Sequence, residues 1–246
     1  MRYIMKYVID DLEKKMVFVG GPRQVGKTTL AKAILSEYYT TGRYFNWDFD
    51  DDRQDILQKK WRDNNRLLVF DELHKFPRWK TWVKGIYDVS NDLHSILLTG
   101  SARLDVYRRG GDSLMGRYHY WRLHPFTLDE VPEGISARDA FGRLMTVGGF
   151  PEPFLDNDER EGRRWRRERF DRVLREDIRD LESVQNIPLL GLLLDLLRHR
   201  VGSLIAYANL ANDLQISPKT AKSWLEILER MYLVFVVRPF SRSLPR

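Results

Sequence analysis

The sequence contains no cysteine, which excludes a disulfide framework and a thiolate metal site. Its five histidines show no H-E-x-x-H or comparable spacing, so we expect no metal site built on histidine. The most apolar stretch, LLGLLLDLL at 189–197, is about half the length of a membrane span and contains Asp195. The segment MRYIMKYVIDDLEKK is charged throughout and lacks the apolar core of a signal peptide. These absences predict a cytoplasmic protein with no membrane span.

Charge is distributed unevenly along the 246 residues. Residues 160–246 contain 17 Lys and Arg against 11 Asp and Glu, whereas residues 1–159 contain 24 of each. The whole net charge of +6 therefore lies in the C-terminal third. Such an excess favours contact with a polyanion or an acidic partner, and it does not choose between them.

The first half alternates short apolar runs with helical patterns, which predicts a parallel sheet wrapped by helices, an α/β fold. Continuous apolar runs such as LLVF suit strands buried on both faces. The candidate strands are 16–20, 44–49, 67–71, 96–100 and 118–123. Helical spacing relates the apolar and aromatic residues Trp79, Trp82, Val83, Ile86 and Tyr87. We therefore interpret the two tryptophans as core residues and not as a surface on which nucleic-acid bases stack.

From about GGFPEP (148–153) onwards the pattern becomes helical. It continues with a helix carrying apolar residues from Trp165 to Leu181, the leucine-rich segment 189–197 and a short helix at about 206–214. Ser217-Pro218 then supplies an N-cap and a proline at the first helical position. The run LVFVVR (233–238) is predicted to be a strand. Helix, turn, helix and strand in this order predict a winged helix-turn-helix.

The stretch GGPRQVGKT fits the spacing G-x-x-x-x-G-K-[ST] between a predicted strand and a predicted helix. Glycines let consecutive backbone N–H groups surround phosphates without a Cβ in the way. Lys27 is expected to reach the phosphates, and the Thr28 hydroxyl is expected to ligate Mg²⁺. The predicted nucleotide-binding residues of this loop are Gly21, Pro22, Arg23, Gln24, Val25, Gly26, Lys27, Thr28 and Thr29.

The third strand, LLVFDE, ends in two acids at the edge of the sheet where ligands bind in such folds. Asp71 is expected to hold Mg²⁺ through water, and Glu72 to orient or deprotonate the attacking water. A pair of acids is also a common solvated strand end. Together with the phosphate loop, the pair predicts ATP hydrolysis and not binding alone.

Two further candidates follow along the chain. Thr99, at the tip of the fourth strand, could sense the γ-phosphate or the water; with Ser101 it could equally cap the predicted helix ARLDVYRR. Arg117 lies between a glycine-rich turn and the edge strand, where it could reach a neighbouring subunit's γ-phosphate. A solvated arginine before an edge strand is the alternative for Arg117.

Several motifs together resemble a bacterial and archaeal group of AAA-type ATPases related to archaeal and STAND-like ATPases. The motifs are GPRQVGKTTL, LLVFDELHKFPRW, ILLTGSARL, SLMGRYHYWRLHPFTLDE, GGFPEP and VLREDIRDL. The resemblance covers essentially the whole chain. It implies the strand order 5-1-4-3-2, nucleotide at a subunit edge, Thr99 or Ser101 as sensor and Arg117 as finger. It also implies that Gly149-Phe150-Pro151 closes over the nucleotide, with a simple turn as the alternative.

Members of this group carry a winged helix and then a domain of unknown function. Because this chain stops at PFSRSLPR, we expect that domain to be absent and carry over no effector activity from it. The expected domains are an ATPase domain at 1–147, a helical lid or linker at 148–187 and a winged helix-turn-helix at 188–246.

Two basic regions are candidates for contact with DNA. The segment 160–175 has eight arginines, and Lys219 and Lys222 lie opposite the apolar stripe of the predicted recognition helix. A solvated basic face, a lid or a dimerisation module are the alternatives.

The sequence thus predicts an oligomeric Mg²⁺-dependent ATPase. The alternative is a nucleotide-gated switch with little turnover that binds DNA or a protein partner. A small-molecule kinase is disfavoured, because no acceptor-site lid is evident and the winged helix would be unexplained.

Overall fold

The computed structural model of the chain describes residues 2–90, 92–101, 114–178 and 186–238. The predicted helix ARLDVYRR and Leu181 lie outside these ranges. The chain divides into two compact units, residues 1–167 and 168–246. The boundaries expected from the sequence, after 147 and 187, remain predictions about domain organisation.

The first unit is built from strands and helices, and its last helix, Glu159–Arg172, continues past residue 167. In chain order they are α1 (Met5–Leu12), β1 (Met16–Gly20), α2 (Lys27–Tyr38), β2 (Gly42–Asn46), α3 (Asp50–Leu57), β3 (Leu67–Asp71), α4 (Trp79–Ser90), β4 (Ser95–Thr99), β5 (Tyr118–Arg122), α5 (Ala137–Thr146), α6 (Pro151–Asp156) and α7 (Glu159–Arg172). Short 3₁₀ turns span Leu73–Lys75 and Leu128–Glu130.

The five strands form one parallel sheet in the order β2-β3-β4-β1-β5. This is the expected order 5-1-4-3-2 read from the other side, and it confirms the prediction of a P-loop type α/β fold. Parallel pairing brings the carboxyl ends of all strands to one edge, where the polar residues that follow them meet. Every residue of β1 and β3 is buried, as their unbroken apolar runs predicted.

Helices cover both faces of the sheet because its strands alternate their side chains between two apolar layers. One layer joins Val17, Val19 and Val69 to the apolar faces of α1 and α2. The other joins Phe18 and Phe70 to α3 and α4. Trp79, Val83 and Ile86 of α4 are buried in this second layer, with Trp82 and Tyr87 packed against it, so the interpretation of the tryptophans as core residues is confirmed.

The second unit is helical in the part that the structure describes. After a π-helical turn at Val173–Ile178 it contains α8 (Ile187–Arg198), α9 (Tyr207–Leu214) and α10 (Pro218–Arg230). Helices α9 and α10 form a helix-turn-helix, in which Gln215 ends α9 in the left-handed region at φ 55° and the Ser217 side chain accepts from the Thr220 N–H at 3.0 Å. The buried stripe of α10 has the predicted residues Ala221, Trp224, Leu225 and Leu228.

The predicted strand at 233–238 is wrong, because these residues have no regular secondary structure. A strand needs a partner for its backbone groups, and no strand is described anywhere in 168–178 or 186–238. The Val236 N–H instead donates to the Glu229 side chain at 3.3 Å, and Phe235 and Val237 are exposed. Within residues 186–238 the structure therefore shows a helix-turn-helix and no wing strand.

Across the described residues, no helix is both long enough and apolar enough to span a bilayer.

Candidate functional site

The loop between β1 and α2 turns sharply where the motif places its glycines. Gly21 and Gly26 have φ values of 147° and 94°, in the region that favours glycine. A Cβ at Gly21 would lie 2.4 Å from the backbone oxygen of Leu123, so only glycine fits against this neighbouring segment. The predicted residues 21–29 thus form one tight turn that leads into the first turn of α2.

Lys27 lies inside this loop and is buried. Its Nζ donates to the backbone oxygens of Pro22 at 2.7 Å and Gly21 at 3.2 Å. An ammonium group held by carbonyl oxygens of a surrounding loop places a positive charge at the centre of the turn. Together with the amino end of α2, this arrangement favours binding of an anion.

Asp71 is buried at the end of β3 and accepts hydrogen bonds from three hydroxyl groups. Thr28 Oγ1 and Tyr44 Oη donate to its Oδ2 at 2.6 and 2.7 Å, and Thr99 Oγ1 donates to its Oδ1 at 2.5 Å. The structure therefore brings together the phosphate-loop threonine, the strand-end acid and the strand-tip threonine that the sequence singled out. Tyr44 was missed because the expected strand order places β2 beside β3 without giving their register, which sets Tyr44 opposite Val69.

Glu72 occupies the left-handed region at φ 57°, uncommon for a residue with a side chain. Its N–H donates to the Thr99 oxygen at 2.9 Å, which fixes it beside the tip of β4. Its carboxylate lies 3.3 Å from Lys75 Nζ and 3.7 Å from His74 Nε2. Burial raises the pKa of Glu72, while the charges of Lys75 and Lys27 act against that rise.

Pro151, predicted to close over the nucleotide, lies next to the phosphate loop. A Cβ built on Gly26 would lie 3.9 Å from Pro151 Cγ. The segment is anchored on one side by the Phe126 N–H, which donates to the Gly149 oxygen at 2.6 Å. On the other side, Trp165 packs on Phe150, with ring centroids 5.0 Å apart. The turn is thus held against the loop from both directions.

An ion pair near the start of the chain also touches the phosphate loop, and no sequence motif indicates it. Arg2 Nε lies 2.8 Å from Glu130 Oε1, and its Nη1 donates to the Val25 oxygen at 3.3 Å. The Glu130 side chain is fully buried, and its two oxygens accept from the backbone N–H groups of Tyr3 and Thr127. This pair fixes the residues before α1 to the back of the loop.

Arg117 lies at the opposite edge of the sheet. Its backbone oxygen accepts from the Met16 N–H, which begins β1, so it is separated from the phosphate loop by the length of that strand, about 16 Å. Its guanidinium donates to both carboxylate oxygens of Asp88, at 2.7 and 3.3 Å. The structure does not bring Arg117 to the loop of its own chain, and a role in a neighbouring subunit remains a prediction.

The remaining residues predicted from the sequence are described by their exposure and local contacts. Ser101 is buried just past β4. Lys219 and Lys222 are exposed on α10, opposite its buried stripe, as expected. Most arginines of the segment 160–175 are exposed on α7 and just beyond it; Arg163 and Arg164 pair with glutamates of the same helix, and Arg166 donates to the Thr146 and Val147 oxygens.

Comparison with protein families divides the chain in two. Residues 13–132 match the AAA domain, and residues 138–246 match a domain of unknown function (DUF8612). The second match corrects our expectation that a domain of unknown function would be absent. That expectation depended on where the sequence ends, which carries no information about the domains before the end.

Curated relatives are similar over nearly the whole chain. The uncharacterized protein MJ1544 of Methanocaldococcus jannaschii is 23% identical over 270 residues, covering 96% of this chain and 60% of that protein. The uncharacterized protein Rv2008c of Mycobacterium tuberculosis is 26% identical over 225 residues, covering 92% and 50%. This chain thus spans half to three-fifths of the length of these relatives.

Solved structures are similar to this chain at low sequence identity. The Thermotoga maritima RuvB Holliday junction branch migration motor has a TM-score of 0.41 and 19% identity, covering 91% of this chain and 86% of that one. The Aeropyrum pernix Orc1 protein in complex with DNA has a TM-score of 0.41 and 13% identity, covering 94% and 84%. Likenesses at this level say nothing about activity.

Proposed function

We propose that this chain, whose residues 13–132 match the AAA domain family, binds ATP in the loop 21–29 and hydrolyses it with Mg²⁺. The observation that carries the proposal is the 2.6 Å hydrogen bond between Thr28 Oγ1 and Asp71 Oδ2. It joins the end of the phosphate loop to the acid of a strand two places away in the sheet. This bond supports a site where phosphate and metal would bind side by side.

The side chains at this point fit a magnesium ion. Magnesium prefers oxygen ligands and keeps several waters, and it is commonly bound through one or two protein oxygens and substrate phosphates. Thr28 would contribute its hydroxyl, and Asp71 its carboxylate through water. When bound, the ion would neutralise charge on the phosphates. Substrate phosphate oxygens and water would complete this site.

Lys27 supplies the charge for the phosphates. Its ammonium, now bonded to two loop oxygens, is a mobile point charge on a flexible stem that can exchange these partners for phosphate oxygens. Backbone N–H groups of 21–29 and the amino end of α2 would hold the rest of the phosphate charge.

Glu72 would orient and deprotonate the attacking water. A general base works best when its pKa lies nearer the working pH than that of a solvated glutamate, and burial moves Glu72 in this direction. Lys75 and His74 border its carboxylate and would limit its movement. Thr99, on the other oxygen of Asp71, stands where a group could respond to the γ-phosphate.

Pro151 would close over the nucleotide, since it already borders Gly26. Arg117 would contact the γ-phosphate bound by a neighbouring subunit in an oligomer. To do so, its guanidinium would have to leave the carboxylate of Asp88.

The proposal is tested by phosphate release from ATP, measured with and without Mg²⁺. We expect turnover that requires Mg²⁺ and is lost in Lys27→Ala. The control Lys14→Ala removes an exposed lysine remote from the loop and should match the wild type. Turnover that persists in Lys27→Ala, or that is absent from the wild type, would refute hydrolysis at this loop.

A second candidate function is a nucleotide-gated switch with little turnover that binds DNA. It is favoured by the helix-turn-helix with Lys219 and Lys222 exposed on its second helix and by the exposed arginines of α7. Glu226 and Glu229 of the same helix reduce the local positive field, and Glu229 is bonded to Arg238.

Fluorescence anisotropy with duplex DNA, at several salt concentrations and with ATP, ADP or neither, tests this candidate. Each phosphate contact contributes a slope of about −0.9 to log K against log salt, so Lys219→Ala with Lys222→Ala should flatten the slope by about 1.8. Binding that is insensitive to salt, or no binding, would favour a protein partner.

A further inference from the structure

We propose that Tyr44 is a positioning residue for Asp71, and that its hydroxyl holds the metal-binding carboxylate in place while Thr28 ligates the metal. The inference rests on the proposed Mg²⁺-dependent nucleotide site. It adds a residue from β2, outside the phosphate loop and outside the strand-end acids.

The strand pairing places Tyr44 where it can act. In the register of β2 and β3, Asn46 pairs with Asp71 and Tyr44 pairs with Val69. Paired residues and those two positions away share one face of a sheet, so Tyr44 and Asp71 lie on the same face, beneath α2. From there the Tyr44 hydroxyl reaches Asp71 Oδ2 at 2.7 Å.

The three hydroxyls around Asp71 have different roles. Oδ2 accepts from both Thr28 and Tyr44, whereas Oδ1 accepts from Thr99. Thr28, the proposed metal ligand, would direct a lone pair to the ion while its O–H still donates to Oδ2. Tyr44 and Thr99 donate to one oxygen each without a proposed bond to the metal, and together they fix both the position and the plane of the carboxylate.

The surroundings of Tyr44 favour a fixed donor. The ring packs against the buried layer beneath α2, and Lys32, one turn after Thr28, places its ammonium 4.7 Å from the ring centroid. The phenol carries an O–H donor, and in this structure it is directed at Asp71 Oδ2.

The test is Tyr44→Phe, which keeps the ring and removes the hydroxyl. Tyr39→Phe is the matched control, because the Tyr39 hydroxyl bonds Ser95 at the start of β4, at the other edge of the sheet. Each protein is titrated with a fluorescent ADP in EDTA and at a series of Mg²⁺ concentrations. Melting temperature is recorded beside each titration.

Partners that orient a metal ligand typically change metal affinity by about 10- to 100-fold when removed. We expect Tyr44→Phe to need at least about tenfold more Mg²⁺ for half-maximal tightening of ADP binding. Its affinity for ADP in EDTA should remain that of the wild type. Tyr39→Phe should match the wild type in both measurements.

An unchanged Mg²⁺ requirement in Tyr44→Phe would overturn the inference, whatever its melting temperature. So would an equal shift in Tyr39→Phe, because the effect would then be general loosening. A wild-type protein that binds ADP equally with and without Mg²⁺ is a separate result. It refutes the proposed site itself before Tyr44 is considered.

Discussion

Replacing Gly21 by alanine tests whether the phosphate loop has the geometry described. Gly21 has φ 147°, a conformation essentially restricted to glycine. The added Cβ would lie 2.4 Å from the oxygen of Leu123 and 3.3 Å from its carbonyl carbon. Leu123 is not free to yield, because its N–H donates to the Gly20 oxygen at 2.9 Å beside β1.

Two contributions lower the free energy of unfolding of this variant. Holding alanine in a glycine-only conformation costs about 1–3 kcal/mol, and relieving a steric overlap in a packed region costs about 1–3 kcal/mol. We therefore expect a loss of about 2–6 kcal/mol, or roughly 5–20 °C in melting temperature for a protein of this size. Because Lys27 Nζ bonds the Gly21 oxygen, the same shift displaces the lysine.

Thermal denaturation and titration with fluorescent ADP measure the two effects. Gly142→Ala is the control: it lies in α5 with nothing within 4 Å of the added Cβ, and alanine should stabilise the helix there by about 0.5–1 kcal/mol. We expect Gly21→Ala to melt lower and to bind ADP at least about tenfold more weakly, a loss of about 1.4 kcal/mol. Wild-type melting and wild-type affinity in Gly21→Ala would refute the loop geometry.

Three further predictions concern protonation, a buried ion pair and a helix cap. Burial raises the pKa of Glu72, and the proposed base acts as the carboxylate, so turnover should fall on acidification through a pKa above the ordinary 4.5. A pH–rate profile with an acidic limb at or below 4.5 would contradict this. Glu130→Ala leaves the Arg2 guanidinium without its carboxylate, in a side chain that is only 12% exposed. Chemical denaturation should show the first unit destabilised by about 3–5 kcal/mol. A loss below about 1 kcal/mol would show that the ion pair contributes little. Ser217→Ala removes the cap of α10 and should cost about 1 kcal/mol, seen as a lower melting temperature; an unchanged value would show that the cap is dispensable.

The central strands could be predicted because burial on both faces demands unbroken apolar runs. Strand β3 has the predicted bounds, 67–71. Strand β2 was misplaced: it spans Gly42–Asn46 and not 44–49. Aromatic residues suggested a longer strand, yet the Asp52 side chain accepts from the Asn46 N–H and turns the chain into α3. Trp47 stacks on Phe76 with ring centroids 4.9 Å apart.

The site could be predicted only where one segment carries its own signal. The loop 21–29 and the strand-end pair Asp71-Glu72 are visible in the sequence because residue type and spacing are local. Tyr44 and Arg2 are not, because their contacts depend on the register between two strands and on which loops become neighbours in space. The strand expected at 233–238 failed for a related reason: apolar, β-branched residues favour a strand, but pairing decides whether one forms.

The most direct test of the central claim is single-turnover ATP hydrolysis by Glu72→Gln beside the wild type, with ATP affinity measured in parallel. A positioned general base contributes about 10²- to 10⁴-fold to rate, so we expect Glu72→Gln to hydrolyse ATP at least about 100-fold more slowly while binding it as tightly as the wild type. Equal rates in the two proteins would contradict the assignment of Glu72, and with it the proposal that this edge of the sheet hydrolyses ATP.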